Sequence, residues 1–254
     1  MIKIFLYIAI FMLGAIIGSF LNVCIYRIPL GESISYPPSH CTNCNTRLKW
    51  HDLIPIFSYL ILRGKCKYCK EKISLKYPSI EFLTAAAFLI TYINYGLSLY
   101  LIKYIILWCF LIVISIIDIK FQDVYAVTTI PAIIIGVIIA IIENMIYFTP
   151  FWNYLLGGAI AGGIIALIVY ITGGMGKGDI EISALCGVFI GWKYSIIMIF
   201  LSFIIGAIIG VILIVSKKRS RKDYIAFGPF IALSALFTVF YGSHILNYYV
   251  GLFT

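Results

Sequence analysis

The sequence predicts an all-α integral membrane protein, built as a bundle of about eight transmembrane helices with a small cytoplasmic domain after the first helix. Two observations carry the membrane part of this prediction. Hydrophobic residues make up 63% of the 254 residues and charged residues 11%, whereas a typical soluble domain has about 25% charged residues. Several apolar runs also approach the roughly 20 residues that a helix needs to cross about 30 Å of hydrocarbon. A β-barrel would instead show short segments of alternating hydrophobicity.

The positions of the apolar runs predict where each transmembrane span begins and ends. The first run lacks a cleavage site of the A-x-A kind and continues directly into a polar segment, so we expect a retained helix and not a signal peptide. The third run ends at Asp118, the fifth ends before a glycine-rich segment, and the sixth is the shortest. The predicted spans are 4–26, 81–95, 100–117, 124–146, 154–172, 180–192, 194–216 and 226–250.

The basic residues lie mainly between the apolar runs and indicate orientation. If the spans alternate, one face receives the segments 27–80, 118–123, 173–179 and 217–225, which hold 16 of the 19 Lys and Arg residues. Because loops rich in Lys and Arg stay in the cytoplasm, this face is predicted to be cytoplasmic, with both termini outside. The net charge of +9 is therefore explained by topology in a lipid bilayer, and no nucleic-acid partner is expected.

Segment 27–80 is the candidate extramembrane domain, because its Pro, Cys and Lys content departs from the Ile-rich remainder. It contains Cys41-x-x-Cys44 and Cys66-x-x-Cys69, two pairs separated by 21 residues. This spacing favours a zinc knuckle, in which four thiolates surround one ion. Two disulfides or four free thiols are the alternatives, but a cytoplasmic location disfavours lasting disulfides. Four protein ligands leave no open coordination position, so the zinc would be structural.

Two aspartates, Asp118 and Asp179, carry the candidate chemistry. Asp118 ends the third span, Asp179 follows the segment Gly173–Gly178, and the predicted topology returns both to one face. Ionisable residues at the membrane are functional candidates because their burial is costly. Two neighbouring carboxylates share a proton, so one can activate water while the other polarises a carbonyl. This is the chemistry of an aspartic peptidase, and it needs no metal.

Ordinary helix-end roles are the alternative for these acids. Asp179 could cap the sixth predicted helix, and Asp118 could pair with Lys120 or a basic loop residue. Two further acids lie nearby in the sequence. Asp123 is predicted to be solvated or to cap a helix, and Glu181 could line the site as an auxiliary charge.

A series of motifs in a fixed order resembles the type IV prepilin leader peptidase family from one end of the chain to the other. Gly176-Lys-Gly178-Asp179 is similar to the family's Gly-x-Gly-Asp motif at the active site. The other motifs that carry the resemblance, besides the two Cys pairs, are Gly18–Pro29, Asp52–Ser58, Arg63–Cys66, Ile73–Glu81 and Phe227–Phe230.

The resemblance implies an intramembrane aspartic endopeptidase that cuts prepilin and pseudopilin precursors after a glycine, at the cytoplasmic face of a bacterial cytoplasmic membrane. Asp118 and Asp179 would be its catalytic residues. It also implies methylation of the new N-terminus from S-adenosylmethionine, as in the bifunctional members. The predicted domains are then the first transmembrane helix at 1–26, the zinc-binding domain at 27–80 and the transmembrane peptidase domain at 81–254.

The chain departs from the family's pattern in two places. The family usually has Pro-Asp or Pro-Asn where this chain has Tyr125-Ala126, so the turn before the fourth span is expected to differ. A Lys commonly stands two residues beyond the second aspartate, where this chain has Glu181. If Glu181 points inward, it would raise the proton affinity of the pair.

Two other classes of function fit part of the sequence. A proton- or cation-coupled transporter with a zinc-stabilised cytoplasmic domain would carry acids towards the membrane midplane and broken helices in matched halves. In this chain the acids lie at one face, and no inverted repeat is evident. A zinc-bearing structural or assembly protein would tolerate the loss of both aspartates.

Overall fold

A computed structural model describes residues 2–217 and 225–252, and most of the basic segment 217–225 therefore lies outside the described residues. The described ranges contain helices and no strand, which confirms the all-α prediction. Two short 3-10 helices occupy Ile28–Leu30 and Trp50–Leu53. The α-helices are α1 Ile2–Arg27, α2 Phe57–Ile61, α3 Lys76–Tyr95, α4 Leu99–Phe121, α5 Ala126–Tyr147, α6 Trp152–Thr172, α7 Lys177–Ile190, α8 Trp192–Val215 and α9 Gly228–Gly251.

Six of the described helices are long and apolar enough to cross a membrane: the N-terminal helix over Ile2–Leu30, then α4, α5, α6, α8 and α9. The two remaining predicted spans, 81–95 and 180–192, coincide with α3 and α7. Helix α3 is less apolar than these six helices, because Thr, Tyr, Asn and Glu side chains interrupt it. Helix α7 has 14 residues, so it rises about 21 Å. Eight spans therefore stay a prediction.

The structure divides into two compact units, Met1–Val113 and Ile114–Thr254. In the first unit, α1 packs closely along α3 because α1 carries two glycines four residues apart. A Cβ on Gly14 would lie 2.7 Å from the Cα of Ala85, and a Cβ on Gly18 would lie 2.8 Å from the Cα of Glu81. Small residues at this spacing let two membrane helices approach at backbone distance. The contact fixes the start of α3, where Glu81 lies.

In the second unit, α6 and α7 make the closest backbone contact. Gly157 of α6 and Gly187 of α7 face one another, and a Cβ on either would collide with the backbone of the other. Gly158 and Gly162 continue this face of α6 against α7, since added Cβ atoms there would meet the side chains of Val188 and Ala184. This packing holds α7 in place, and α7 carries Asp179 in its first turn.

Candidate active site

Asp118 lies near the end of α4 and is buried, with 5% of its surface exposed. Its Oδ2 accepts a hydrogen bond of 3.0 Å from the backbone N–H of Gly228, the first residue of α9. The first N–H groups of a helix have no partner within the helix and carry the positive end of its dipole. Asp118 is therefore held by a helix N-terminus, a common binding site for an anion.

Asp179 is the third residue of α7 and is equally buried. Its Oδ2 accepts a hydrogen bond of 3.0 Å from the backbone N–H of Gly176, which precedes the helix. This is the contact made by an acidic residue in the first turn of a capped helix. The capping role considered from the sequence is thus present, and it fixes the orientation of the carboxylate.

The start of α9 lies against Asp118 and against α7, the helix that carries Asp179. A Cβ added to Gly228 would lie 2.6 Å from Oδ2 of Asp118 and 2.8 Å from Cδ1 of Ile182. Ile182 lies three residues after Asp179, so both side chains project from the same face of α7. Asp118 and the helix that carries Asp179, 61 residues further along the chain, therefore both lie at the start of α9.

Glycines permit this approach, as the sequence indicated. Gly173, which ends α6, has φ +62°, a conformation that glycine adopts at little cost. A Cβ on Gly178 would collide with the side chain of Val124, in the connection between α4 and α5. The turn that carries Asp179 can therefore lie directly against the chain that follows Asp118.

The two neighbouring acids have separate surroundings. Glu181 accepts a hydrogen bond of 2.5 Å from the hydroxyl of Thr129 in α5. Asp123 is exposed, and its Oδ1 accepts the N–H of Val124 at 2.8 Å. Helix α5 begins at Ala126 after Tyr125, so Asp123 is solvated, as predicted, and is not the helix cap. Tyr125 and Ala126, which replace the family's usual Pro-Asp or Pro-Asn pair, form an ordinary start of helix α5.

Sequence reasoning missed the role of Gly228. Its motif was recognised at Phe227–Phe230, but no partner was assigned to it. The sequence does indicate a helix start at Gly228, because Pro229 follows it at the beginning of an apolar run and Pro is favoured in the first turn of a helix. A helix start has free N–H groups. What the sequence does not give is that these groups face the end of α4.

The four predicted metal ligands form a second site, in the first unit. The Sγ atoms of Cys41, Cys44, Cys66 and Cys69 all lie within 4.8 Å of one another, and those of Cys41 and Cys69 are 3.8 Å apart. Tetrahedral coordination with metal–sulfur bonds of about 2.3 Å requires sulfurs about 3.8 Å apart. All four cysteines are free, so the two disulfides considered from the sequence are absent from these described residues. The donor set fits one metal ion.

The two Cys pairs have the same local fold. In each, the residue after the second cysteine has a positive φ and donates its N–H to the carbonyl of the first cysteine: Asn45 to Cys41 at 2.9 Å, and Lys70 to Cys66 at 3.0 Å. Each turn is closed by one isolated antiparallel bridge, one at His40 and Arg47, the other at Lys65 and Lys72.

Hydrogen bonds act on the thiols unequally. The side chain and N–H of Thr46 lower the pKa of Cys44 to about 6, and backbone N–H groups of Cys69 and Tyr68 lower the pKa of Cys66. The pKa of Cys41 is raised to about 11, since its neighbours Cys44 and Cys66 favour its thiol form. Metals bind cysteine as the thiolate, so Cys44 and Cys66 are the thiols that favour the binding form near neutral pH.

Comparison with known proteins places the chain in one family. The model of the bacterial peptidase A24 N-terminal domain matches residues 12–95, and the model of the type IV leader peptidase family matches residues 105–211. The chain is 34% identical to the prepilin leader peptidase/N-methyltransferase of Bacillus subtilis, over 95% of this chain and 96% of that protein. It is 32% identical to the protein of the same name from Xanthomonas campestris, over 94% and 92%. No solved structure matches the chain. The chain therefore belongs to the type IV leader peptidase family.

Proposed function

We propose that this protein is an intramembrane aspartic endopeptidase that removes the leader from prepilin and pseudopilin precursors after a glycine, and that Asp118 and Asp179 are its catalytic pair. The observation that supports the assignment of residues is that both carboxylates are buried and held at helix starts in contact with one another, Asp118 at the start of α9 and Asp179 at the start of α7. The names of the relatives support the substrate class. The transporter alternative has no support from the relatives or the family models.

The pair acts through one shared proton. The ionised carboxylate takes a proton from a water molecule as the water oxygen attacks the scissile carbonyl, and the protonated carboxyl donates its proton to the carbonyl oxygen. The carbon–nitrogen bond then breaks: the leaving amine takes the proton that came from water, and a hydroxyl of the tetrahedral intermediate returns a proton to the other carboxylate, which restores the shared proton. The N–H groups of Gly228 and Gly176 hold one oxygen of each acid. Each acid therefore keeps its other oxygen for water or substrate.

Cleavage by the purified full-length chain tests this function. The protein in detergent is mixed with a prepilin precursor, and the mass of the product is measured. A product that lacks the leader, with the cut after a glycine, supports the proposal. An unprocessed precursor, with a relative such as the Bacillus subtilis enzyme active in the same assay, contradicts it.

The proposed topology has eight crossings, with α3 and α7 included, the catalytic face in the cytoplasm and both termini outside. We expect alkaline phosphatase fused after residue 97, between α3 and α4, to be active, and the same fusion after residue 122 to be inactive. Alkaline phosphatase reports the side of the membrane because it folds into an active enzyme only outside the cytoplasm. If α3 did not cross the membrane, both results would be reversed. A fusion at the C-terminus, also expected to be active, reports whether α7 crosses.

We also propose that residues 27–80 and 81–254 are separate domains, the second being the peptidase domain, and that Cys41, Cys44, Cys66 and Cys69 hold a structural zinc ion that organises the first. The purified protein should contain about one zinc ion per chain, because four thiolates satisfy a tetrahedral site. Cys66→Ser should lose the metal and lower the melting temperature, because metal binding free energy is folding free energy. Elemental analysis and a thermal unfolding curve check both results.

Cys109→Ser is the matched control for the zinc experiment, because Cys109 lies in α4, outside the four-cysteine cluster. It should keep the metal. A full zinc content in Cys66→Ser would contradict the assignment of the ligands, and a metal-free wild type with normal stability would contradict a structural role for zinc.

A further inference from the structure

The short helix α2 has an exposed apolar face. Phe57, Leu60 and Ile61 lie on this face at helical spacing, and their side chains are 51%, 64% and 79% exposed. The other face of α2, which carries Tyr59, lines a cavity of the first unit. The segment 53–62 that contains α2 has no charged residue. Large apolar side chains that cluster on a surface mark a place of contact with a protein or a membrane.

Contacts with α1 and α3 show the level at which this segment lies along the helices. Helix α1 ends at Arg27, and a Cβ on Gly18 would lie 2.8 Å from the Cα of Glu81 in α3. Because Gly18 precedes Arg27 by nine residues, the Cα of Glu81 is level with a point about 14 Å inside the end of α1. The N–H of Ile56 donates to Oε2 of Glu81 at 2.7 Å. The chain before α2 is therefore tied to a residue well inside the helix pair.

The reach of the Glu81 side chain limits how far Ile56 lies from that level. Four bonds of about 1.5 Å join the Cα of a glutamate to Oε2, so the nitrogen of Ile56 lies within about 9 Å of the Cα of Glu81. Even with the side chain pointing fully towards the end of α1, Ile56 lies about 5 Å inside that end. Helix α1 belongs to a run, Ile2–Leu30, that is long and apolar enough to cross a membrane. Ile56 is therefore level with the bilayer, and α2 begins there.

The backbone of the segment 53–62 is arranged for surroundings with little water. Pro55 has no N–H, Glu81 accepts the N–H of Ile56, and Phe57 donates to the carbonyl of Pro55 at 2.6 Å. The donors that follow also bond within the segment: Ser58 to Ile54, Leu60 to Ile56 and Leu62 to Ser58, each at 3.0 Å. Irregular backbone is tolerated at membrane depth only where the protein satisfies its polar groups. This segment meets that condition.

Basic residues border the uncharged segment on both sides. Arg47 and Lys49 precede it, Arg63 and Lys65 follow it, and all four are exposed. Long basic side chains beside an apolar segment place their charges at the level of the lipid headgroups, where anionic lipids attract them. The order of basic, apolar and basic residues along the chain therefore matches the surface of a bilayer.

We propose that the segment 53–62 enters the cytoplasmic leaflet of the bilayer and holds the cysteine-bearing domain against the lipid. The partner of the exposed face is the bilayer itself, with Phe57, Leu60 and Ile61 in contact with acyl chains. Such an element lies within the membrane interface and does not cross the membrane. The proposal goes beyond the cleavage of precursors, and of the proposed function it uses only the topology.

Photo-crosslinking of the full-length chain in vesicles of phosphatidylglycerol and phosphatidylethanolamine tests the proposal. Ile61 is replaced by p-benzoylphenylalanine, which on illumination bonds to a neighbouring C–H group, and the mass of the product identifies the partner. We expect phospholipid adducts, several-fold more than with the same replacement at Tyr36. Tyr36 is the matched control because it is 74% exposed in the same unit. It precedes Pro37, whose carbonyl accepts a hydrogen bond of 2.6 Å from Arg27 at the end of α1.

Every other product overturns the proposal. A crosslinked dimer would assign the exposed face to a second copy of the chain, and a crosslink to an added prepilin precursor would assign it to the substrate. Lipid adducts no more frequent at Ile61 than at Tyr36 would show that the face is not embedded.

A melting curve for each variant shows whether the fold is kept. Should the Ile61 variant unfold, Leu60 takes its place on the same face, with the same expected products. Precursor cleavage is measured separately in the wild type. If the wild type cuts the precursor while Ile61 gives no excess of lipid adducts, this proposal is wrong and the peptidase assignment stands.

Discussion

Replacement of either Asp118 or Asp179 by Asn is expected to lower precursor cleavage by about 10²- to 10⁴-fold, the usual contribution of a general acid or base. Asn has nearly the same shape and keeps an oxygen for the N–H of Gly228 or Gly176. The variant therefore loses the shared proton and keeps the local hydrogen bond. Each single change should remove most of the activity, because an acid and a base are both required. The rate of product formation under single-turnover conditions measures the loss.

Asp123→Asn is the matched control for both variants. Asp123 is an acid close to Asp118 in the sequence, but it is exposed and bonds the N–H of Val124. Its replacement should leave the rate within about twofold, as for a surface change that alters no buried contact. Glu181→Gln provides a second comparison, since Glu181 bonds Thr129. Full cleavage by Asp118→Asn or by Asp179→Asn would contradict the catalytic pair.

The composition was sufficient to predict a helical membrane protein, because long apolar runs have few other stable structures in lipid. It was not sufficient to settle the number of crossings. The segments at α3 and α7 are helical, but the first carries polar side chains and the second is short. Their helical pattern is clear in the sequence, whereas a membrane crossing also depends on neighbours that cover polar groups and ends, which no single segment reveals.

The cysteine cluster could be predicted from spacing alone, because two short knuckles contain most of their own geometry. The two aspartates could be singled out in the sequence because an acidic side chain is costly in an apolar chain, and both are buried in the structure. The group that holds Asp118 could not be predicted in the same way. Gly228 follows Asp118 by 110 residues, and its role depends on the packing of α9 against α7, which places the start of α9 at the end of α4.

Because Gly228 lies so close to Asp118, a substitution of Gly228 tests directly how the carboxylate of Asp118 is positioned. A Cβ at this position would lie 2.6 Å from Oδ2 of Asp118 and 2.8 Å from Cδ1 of Ile182. Carbon and oxygen cannot remain at that distance, so the carboxylate must move away from the N–H that it accepts. Alanine otherwise favours a helix over glycine by about 1 kcal/mol, so the helix itself should not be weakened.

Gly228→Ala is therefore expected to lower kcat for cleavage by about 10- to 100-fold, the cost of a hydrogen bond to a charged group, with little change in KM. The melting temperature should stay the same or rise, which separates a displaced carboxylate from a damaged fold. Gly210→Ala in α8 is the matched control, because no atom lies within 4 Å of its added Cβ. In the double variant Gly228→Ala, Ile182→Val, the contact with Cδ1 is absent while the contact with Asp118 remains. If the double variant recovers cleavage, the clash with Ile182, and not the clash with Asp118, is what makes glycine necessary at position 228. If cleavage stays low, the displaced carboxylate of Asp118 is the cause.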